Sequence, residues 1–153
     1  SGQAGGRKRE PAQGVEVRQG DVLLIRTGWM EWYEAQGPEV RLAVAQPHAT
    51  RFPGLESTLR MAEYLWDLGV CAVASDNPAL ESEPGRGQRA EDDTVFLHYY
   101  LLGRFGMAIG EMFYLEALSA DCAADGVYEG FFTSAPLNKL GGAGSPPNAL
   151  FIK

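Results

Sequence analysis

The stretch LESTLRMAEYLWDLGVCAVASDN, residues 55–77, constrains the fold more than any other part of the chain. Leu55, Leu59, Ala62, Leu65 or Trp66, and Leu68 recur at three- and four-residue intervals, the spacing of one helix face. Gly69 stands where such a helix needs a residue that accepts a left-handed backbone. VCAVAS follows at once, apolar on consecutive positions as in a strand buried on both faces. A helix, a tight turn and a buried strand closed by Asp76 and Asn77 predict an α/β unit, and ligands of such sheets sit at the strand's C-terminal end.

The rest of the chain repeats this alternation. Val22 to Arg26 reads as a second buried strand, introduced by Gly20 and Asp21. Residues 30–54 mix aromatic residues and helix formers with prolines and a glycine, which predicts an irregular segment with one short helix. A helix is expected from about Thr94 to Phe105, a strand at MAI, and a helix over LEALSADCAADG ended by Gly126. VYEGFFTS reads as a strand with Tyr128, Gly130 and Phe132 on one face, and LGGAGSPPNALFIK as a loop entering a short final strand. The class is therefore α/β, with α+β the other arrangement this order allows. Residues 1–14 lack apolar periodicity and are expected to be a disordered leader to one domain over 15–153. ESEPGRGQRAEDD is a long charged loop, either a mobile flap over a binding site or a solvated surface loop.

A net charge of -7 opposes a nucleic-acid partner, because phosphate binding draws on clustered Lys and Arg. No apolar run approaches the roughly 20 residues that cross a bilayer, so no membrane partner is expected. Cys71 and Cys122 form no C-x-x-C pair and read as free, buried thiols of a reducing, cytoplasmic compartment.

Few residues suggest chemistry. His98 shares a helical stripe with Leu101, Leu102 and Phe105, so its ring is expected to face the core or a cavity, as a buried histidine or as a ligand. Glu111 ends the apolar run MAIG, where either a partner for His98 or a solvated strand tip would stand. Asp76, at a strand end, suits a binding pocket or an Asx-turn with Asn77 and Pro78. Trp29, after the first strand, could line an aromatic pocket or fill the core. Ser145 lies in GGAGSPPN, a loop able to present N–H groups to an anion or simply to cross at a sheet edge, and it has no G-x-S-x-G setting. His48, flanked by proline, reads as a surface residue.

Taken together, GDVLLIRTGW, FPGL, ASDNPALE, LLGRFGMAIGE, LEALSADCAADGVYEGFF and APLNKLGGAGSPPNALFIK resemble the cyclase-like metal-dependent hydrolases, the family of bacterial kynurenine formamidase and isatin hydrolase. The resemblance runs from about Val15 to Lys153. It implies a swivelling β/β/α architecture, here truncated, and hydrolysis of amide or lactam bonds in small aromatic molecules at a binuclear Zn²⁺ or Mn²⁺ centre. In the family that centre combines an H-x-G-T-H-x-D motif with a later histidine and glutamate, and His98 and Glu111 match the later two. No H-x-G-T-H-x-D occurs in these 153 residues. The resemblance therefore implies an incomplete metal site, completed in a homodimer or higher oligomer or by a separate N-terminal chain. The alternative is a relative without catalysis that serves as a small-molecule-binding or partner-binding module.

Overall fold

The computed structural model describes residues 13–46, 51–83 and 96–153. Three strands, β1 (Val22–Ile25), β2 (Ala72–Ser75) and β3 (Ala108–Gly110), form a parallel sheet in the order β1-β2-β3. Parallel neighbours need crossovers. The first carries α1 (Trp29–Glu34), α2 (Pro38–Val44) and α3 (Leu59–Leu68), and the second carries α4 (Leu97–Tyr100) and a π-helical turn over Leu101–Phe105. After β3 come α5 (Glu116–Asp125) and an antiparallel ribbon of β4 (Phe131–Thr133) and β5 (Leu150–Ile152). The architecture is α/β, as the alternation predicts. Among the described residues no helix is long and apolar enough to cross a membrane.

The helix-to-strand unit forms as its residues dictate. Thr58 Oγ1 accepts from the Met61 N–H at 3.2 Å and caps α3, and Gly69 ends it at φ 74°. The helix starts at Leu59 rather than Leu55, because Leu55 is held by backbone bonds to Leu80 and Ser82. Of the two residues that could face inward, Leu65 does, while Trp66 lies outside and tilts against Phe105 at 5.0 Å. Ala62 and Leu65 join Val70, Val73, Leu80, Leu97, Leu101 and Met107 in one core cluster. Each buried leucine of this kind contributes roughly 1.5–3 kcal/mol relative to leaving it in water.

Several expectations are corrected. The segment after β1 holds two short helices, the second begun by Gly37 and by Pro38, whose fixed φ suits a first helical turn. The residues of β1 are only half-buried, since β1 is an edge strand of the described sheet. Cys71 is exposed, one residue short of β2, while Cys122 is buried. The strand expected over VYEGFFTS is confined to Phe131–Thr133. The stripe Leu101, Leu102, Phe105 is broken by the π turn, whose wider winding leaves Leu101 buried and turns Leu102 half into solvent. Residues 1–12 of the expected leader, residues 84–93 of the charged loop, Thr94 and His48 lie outside the described residues.

Candidate functional site

The site is assembled at the C-terminal end of β2, where consecutive polar residues leave the sheet. Asp76 is fully buried and accepts from the Thr27 N–H (2.6 Å), the Thr27 hydroxyl (2.6 Å) and the Gly28 N–H (2.7 Å). It ties the end of β1 to the end of β2. Asn77, also fully buried, donates through Nδ2 to the Pro53 carbonyl (2.7 Å) and the Glu81 carbonyl (3.3 Å), and its Oδ1 accepts from the Ser75 hydroxyl. These bonds draw residues 53–55 against the turn that presents Glu81. Contact there is close: a Cβ on Gly54 would stand 2.3 Å from the Glu81 carbonyl carbon, which only glycine avoids. Leu80, immediately before Glu81, holds a left-handed backbone at φ 57°, and Met112, immediately after Glu111, holds one at φ 56°. Such conformations are uncommon outside glycine and persist where the surroundings enforce them.

Glu81, 3% exposed, is the hub. Its Oε2 accepts from the Ser57 hydroxyl at 2.7 Å and the Leu97 N–H at 2.6 Å, while its Oε1 stands 2.7 Å from His98 Nδ1. The other ring nitrogen, Nε2, lies 3.0 Å from Glu111 Oε1. An imidazole thus bridges a buried carboxylate on α4's inner side and a half-exposed one beyond β3. The pair of carboxylates makes itself felt in the titration. His98 is pushed up to about 9, first by its bond to Glu111 and then by its bond to Glu81, against the opposing effect of burial. Burial alone would raise the Glu81 carboxyl, but the bonds from His98, Leu97 and Ser57 outweigh it and hold the group below the usual carboxylate range. At neutral pH the ring is a cation that donates to both sides.

A separate cleft of about 320 Å³ opens over the end of β1, lined by Thr27, Gly28, Trp29, Trp32, Arg51 and Pro53. Trp29 is 5% exposed, stacks on Tyr33 at 4.9 Å and meets the Phe52 ring edge-on. Its indole N–H is buried with no hydrogen-bond partner among the described residues. Asp76 does not open into the cleft. It lies beneath it, bonded to Thr27 and Gly28, and none of its bonds is that of an Asx-turn with Asn77 and Pro78. Ser145 is not among the cleft-lining residues; its hydroxyl accepts from the Leu137 N–H and donates to the Pro146 carbonyl in the exposed C-terminal loop.

Residues 7–82 match the family described as "Putative cyclase". A crystal structure described as that of "a novel cyclase" superimposes with a TM-score of 0.78 at 33% sequence identity, over 92% of this chain. The chain is cyclase-like. It spans 43% of the length of that solved chain. No curated protein matches it.

In the cyclase-like chain, His98 and Glu111, singled out from the sequence, are in contact. Trp29 lines a cleft, Asp76 supports that cleft from within, and Ser145 belongs to another part of the molecule. Glu81 and Ser57 went unnoticed in the sequence. No sequence signal set Glu81 apart, because it opens the charged run ESEPGRGQRAEDD and reads there as one solvated carboxylate among several. Among the described residues no group of three or more His, Cys, Asp or Glu side chains is arranged to hold a metal ion, since Glu81 addresses the far nitrogen of the ring.

Proposed function

We propose that the chain supplies one side of a metal-dependent hydrolytic site, with His98 Nε2 and Glu111 as ligands and the Trp29 cleft receiving a small aromatic substrate with an amide or lactam bond. The observation that carries this reading is the division of the His98 ring: Nδ1 is committed to a buried carboxylate, and Nε2 is offered beside a second one. Histidines that bind metals usually donate their other nitrogen to such a carboxylate, which orients the ring and raises its basicity. Imidazole and carboxylate donors suit Zn²⁺ or Mn²⁺. They fit as a pair of ligands and not as a whole centre, because a catalytic zinc takes about three protein ligands and a structural one about four. The remaining ligands are to come from a second copy of the chain or from a separate segment bearing them.

A bound divalent cation would bring the pKa of its water to roughly 7 and so furnish hydroxide at neutral pH. The chain's own residues prepare for this. Glu81 keeps the proton on Nδ1, and the proton that Nε2 must release before it can act as a ligand goes to water, because Glu111 has to stay ionised to bind the metal beside it. Trp32, 44% exposed, offers a ring to a planar substrate, with the buried Trp29 packed behind it, and Arg51 at the cleft offers a guanidinium to a carboxylate or carbonyl oxygen. Metal analysis of the purified chain beside H98A and E111A tests the reading. Bound Zn²⁺ or Mn²⁺ lost in both variants supports it, and a wild-type chain that takes up neither ion, alone or at high protein concentration, overturns it.

A second reading, a non-catalytic binding module, is favoured by the cleft, whose lining includes neither His98 nor Glu111. It expects an aromatic carboxylate to quench tryptophan fluorescence equally in the wild type and in H98A.

A further inference from the structure

The oxygens of Glu81 are not equivalent, and their difference dictates where the proton of His98 sits. Oε2 is claimed by two donors, the Ser57 hydroxyl and the Leu97 N–H. The second is a backbone group that can neither rotate away nor accept. Only Oε1 is left for the imidazole, and an ionised carboxylate oxygen can only accept. Glu111 Oε1 can only accept as well, but it stands at 3.0 Å against 2.7 Å and its side chain is 34% exposed, so water can donate to it, whereas the buried Glu81 Oε1 has the ring as its donor among the described residues. We propose that Glu81 is the positioning residue of this site: it fixes the neutral His98 ring as the Nδ1–H tautomer, so that the Nε2 lone pair faces Glu111. The consequence for metal affinity rests on the ligand role proposed above; the tautomer itself does not.

The same geometry makes an isosteric change act as a reversal. In Glu81→Gln the amide oxygen must take the Oε2 position, because the Leu97 N–H needs an acceptor there. The amide NH₂ then stands at the Oε1 position and donates to Nδ1. That requires the ring proton to move to Nε2, where it blocks the nitrogen turned toward Glu111. A substitution that preserves shape thus inverts the ring, while one that only weakens the anchor does not: Ser57→Ala leaves Leu97 holding Oε2 and Oε1 facing the ring.

The test reads the imidazole nitrogens directly by ¹⁵N–¹H multiple-bond correlation spectra of the full chain at alkaline pH, with the rings neutral. The chain has two histidines, so the signals lost in H98A belong to His98. Wild type and S57A are expected to show Nδ1–H, and E81Q to show Nε2–H. A wild-type ring in the Nε2–H form or in an even mixture overturns the proposal, as does an E81Q ring that keeps Nδ1–H. If circular dichroism shows E81Q unfolded, E81D replaces it. Withdrawing the carboxylate by one methylene should release the ring to a mixture, and an undiminished Nδ1–H form in E81D overturns the assignment. Zn²⁺ titration by equilibrium dialysis separates the two claims, with affinity in E81Q expected to fall about 10–100-fold, the range for loss of such partners. Inverted tautomers with no Zn²⁺ bound by either protein uphold the positioning role and sink the ligand reading; inverted tautomers with the same measurable Zn²⁺ affinity in both also uphold the positioning role and sink His98 Nε2 as a ligand.

Discussion

Around the C-terminal end of β2, Ser75, Asp76, Asn77 and Glu81 are buried and each is hydrogen-bonded, whereas on the β4–β5 ribbon Phe131, Leu150 and Ile152 are 66%, 62% and 54% exposed. The first region buries what water would welcome, and the second exposes what water would reject. Only the first can be sensitive to single atoms, because a buried polar group left without its partner forfeits its full desolvation cost. The ribbon's outward face has the pairs Phe131–Ile152 and Thr133–Leu150, while Phe132 and Phe151 turn the other way, with Phe132 stacked on Phe113. Its exposed residues have little packing to lose.

The contrast can be broken at several points. Leu65→Ala, in the core that supports α3, is expected to destabilise by about 2–5 kcal/mol in urea unfolding, through lost burial and a residual cavity. Asp76→Ala strands the Thr27 and Gly28 N–H groups and should destabilise by about 1–3 kcal/mol for each group left buried without an acceptor, read from the same unfolding curves. If Asp76→Ala is silent, the strand-end bonds are not what holds the two strand ends together. Gly54→Ala should lose about 1–3 kcal/mol through overpacking against the Glu81 backbone, and should weaken the His98–Glu81 bond along with it. At the other extreme Phe131→Ser is expected to change stability by no more than about 0.5 kcal/mol, and a larger loss would show the ribbon's outer face to be packed in solution.

The titration of the cluster sharpens the comparison further. His98 has a folded pKa raised above its ordinary 6.5 to about 9, so its contribution is fully present below 6.5 and is lost as pH rises through 9. Glu81 has a lowered folded pKa, so its contribution is present above its ordinary 4.5 and is lost as pH falls through the folded value. Stability from the pair should therefore be greatest between about 4.5 and 6.5 and decline on the alkaline side. Urea midpoints measured across this range check it, and H98Q should abolish the alkaline decline.

Much of the sheet was legible because its signals are local. The periodicity of α3, the cap at Gly69 and the apolar run of β2 each follow from neighbours in the chain, and they placed the parallel unit correctly. The His98–Glu111 contact was legible only through family resemblance, since thirteen residues of spacing carry no geometry by themselves. Glu81 was invisible for a physical reason: its role comes from Ser57 and Leu97, 24 and 16 residues away, brought together by Asn77 and the bare backbone at Gly54. The extent of β4 was overestimated because alternation alone does not supply a partner strand. The exposure of Cys71 was missed because an apolar run does not mark where its strand begins.

The π turn at Leu101–Phe105 has one more consequence. His98 lies before it on α4, and Glu111 lies after it beyond β3, so the turn sets the angular phase between the two. A π turn amounts to one residue more than an α-helix of the same rise would use. Deleting a residue such as Gly103 would restore regular winding and swing the following chain by about 100°, the angle of one helical step. The meeting of imidazole and carboxylate is thus a matter of counting as much as of chemistry, and a change in chain length within this turn would retune the site without altering any residue in it.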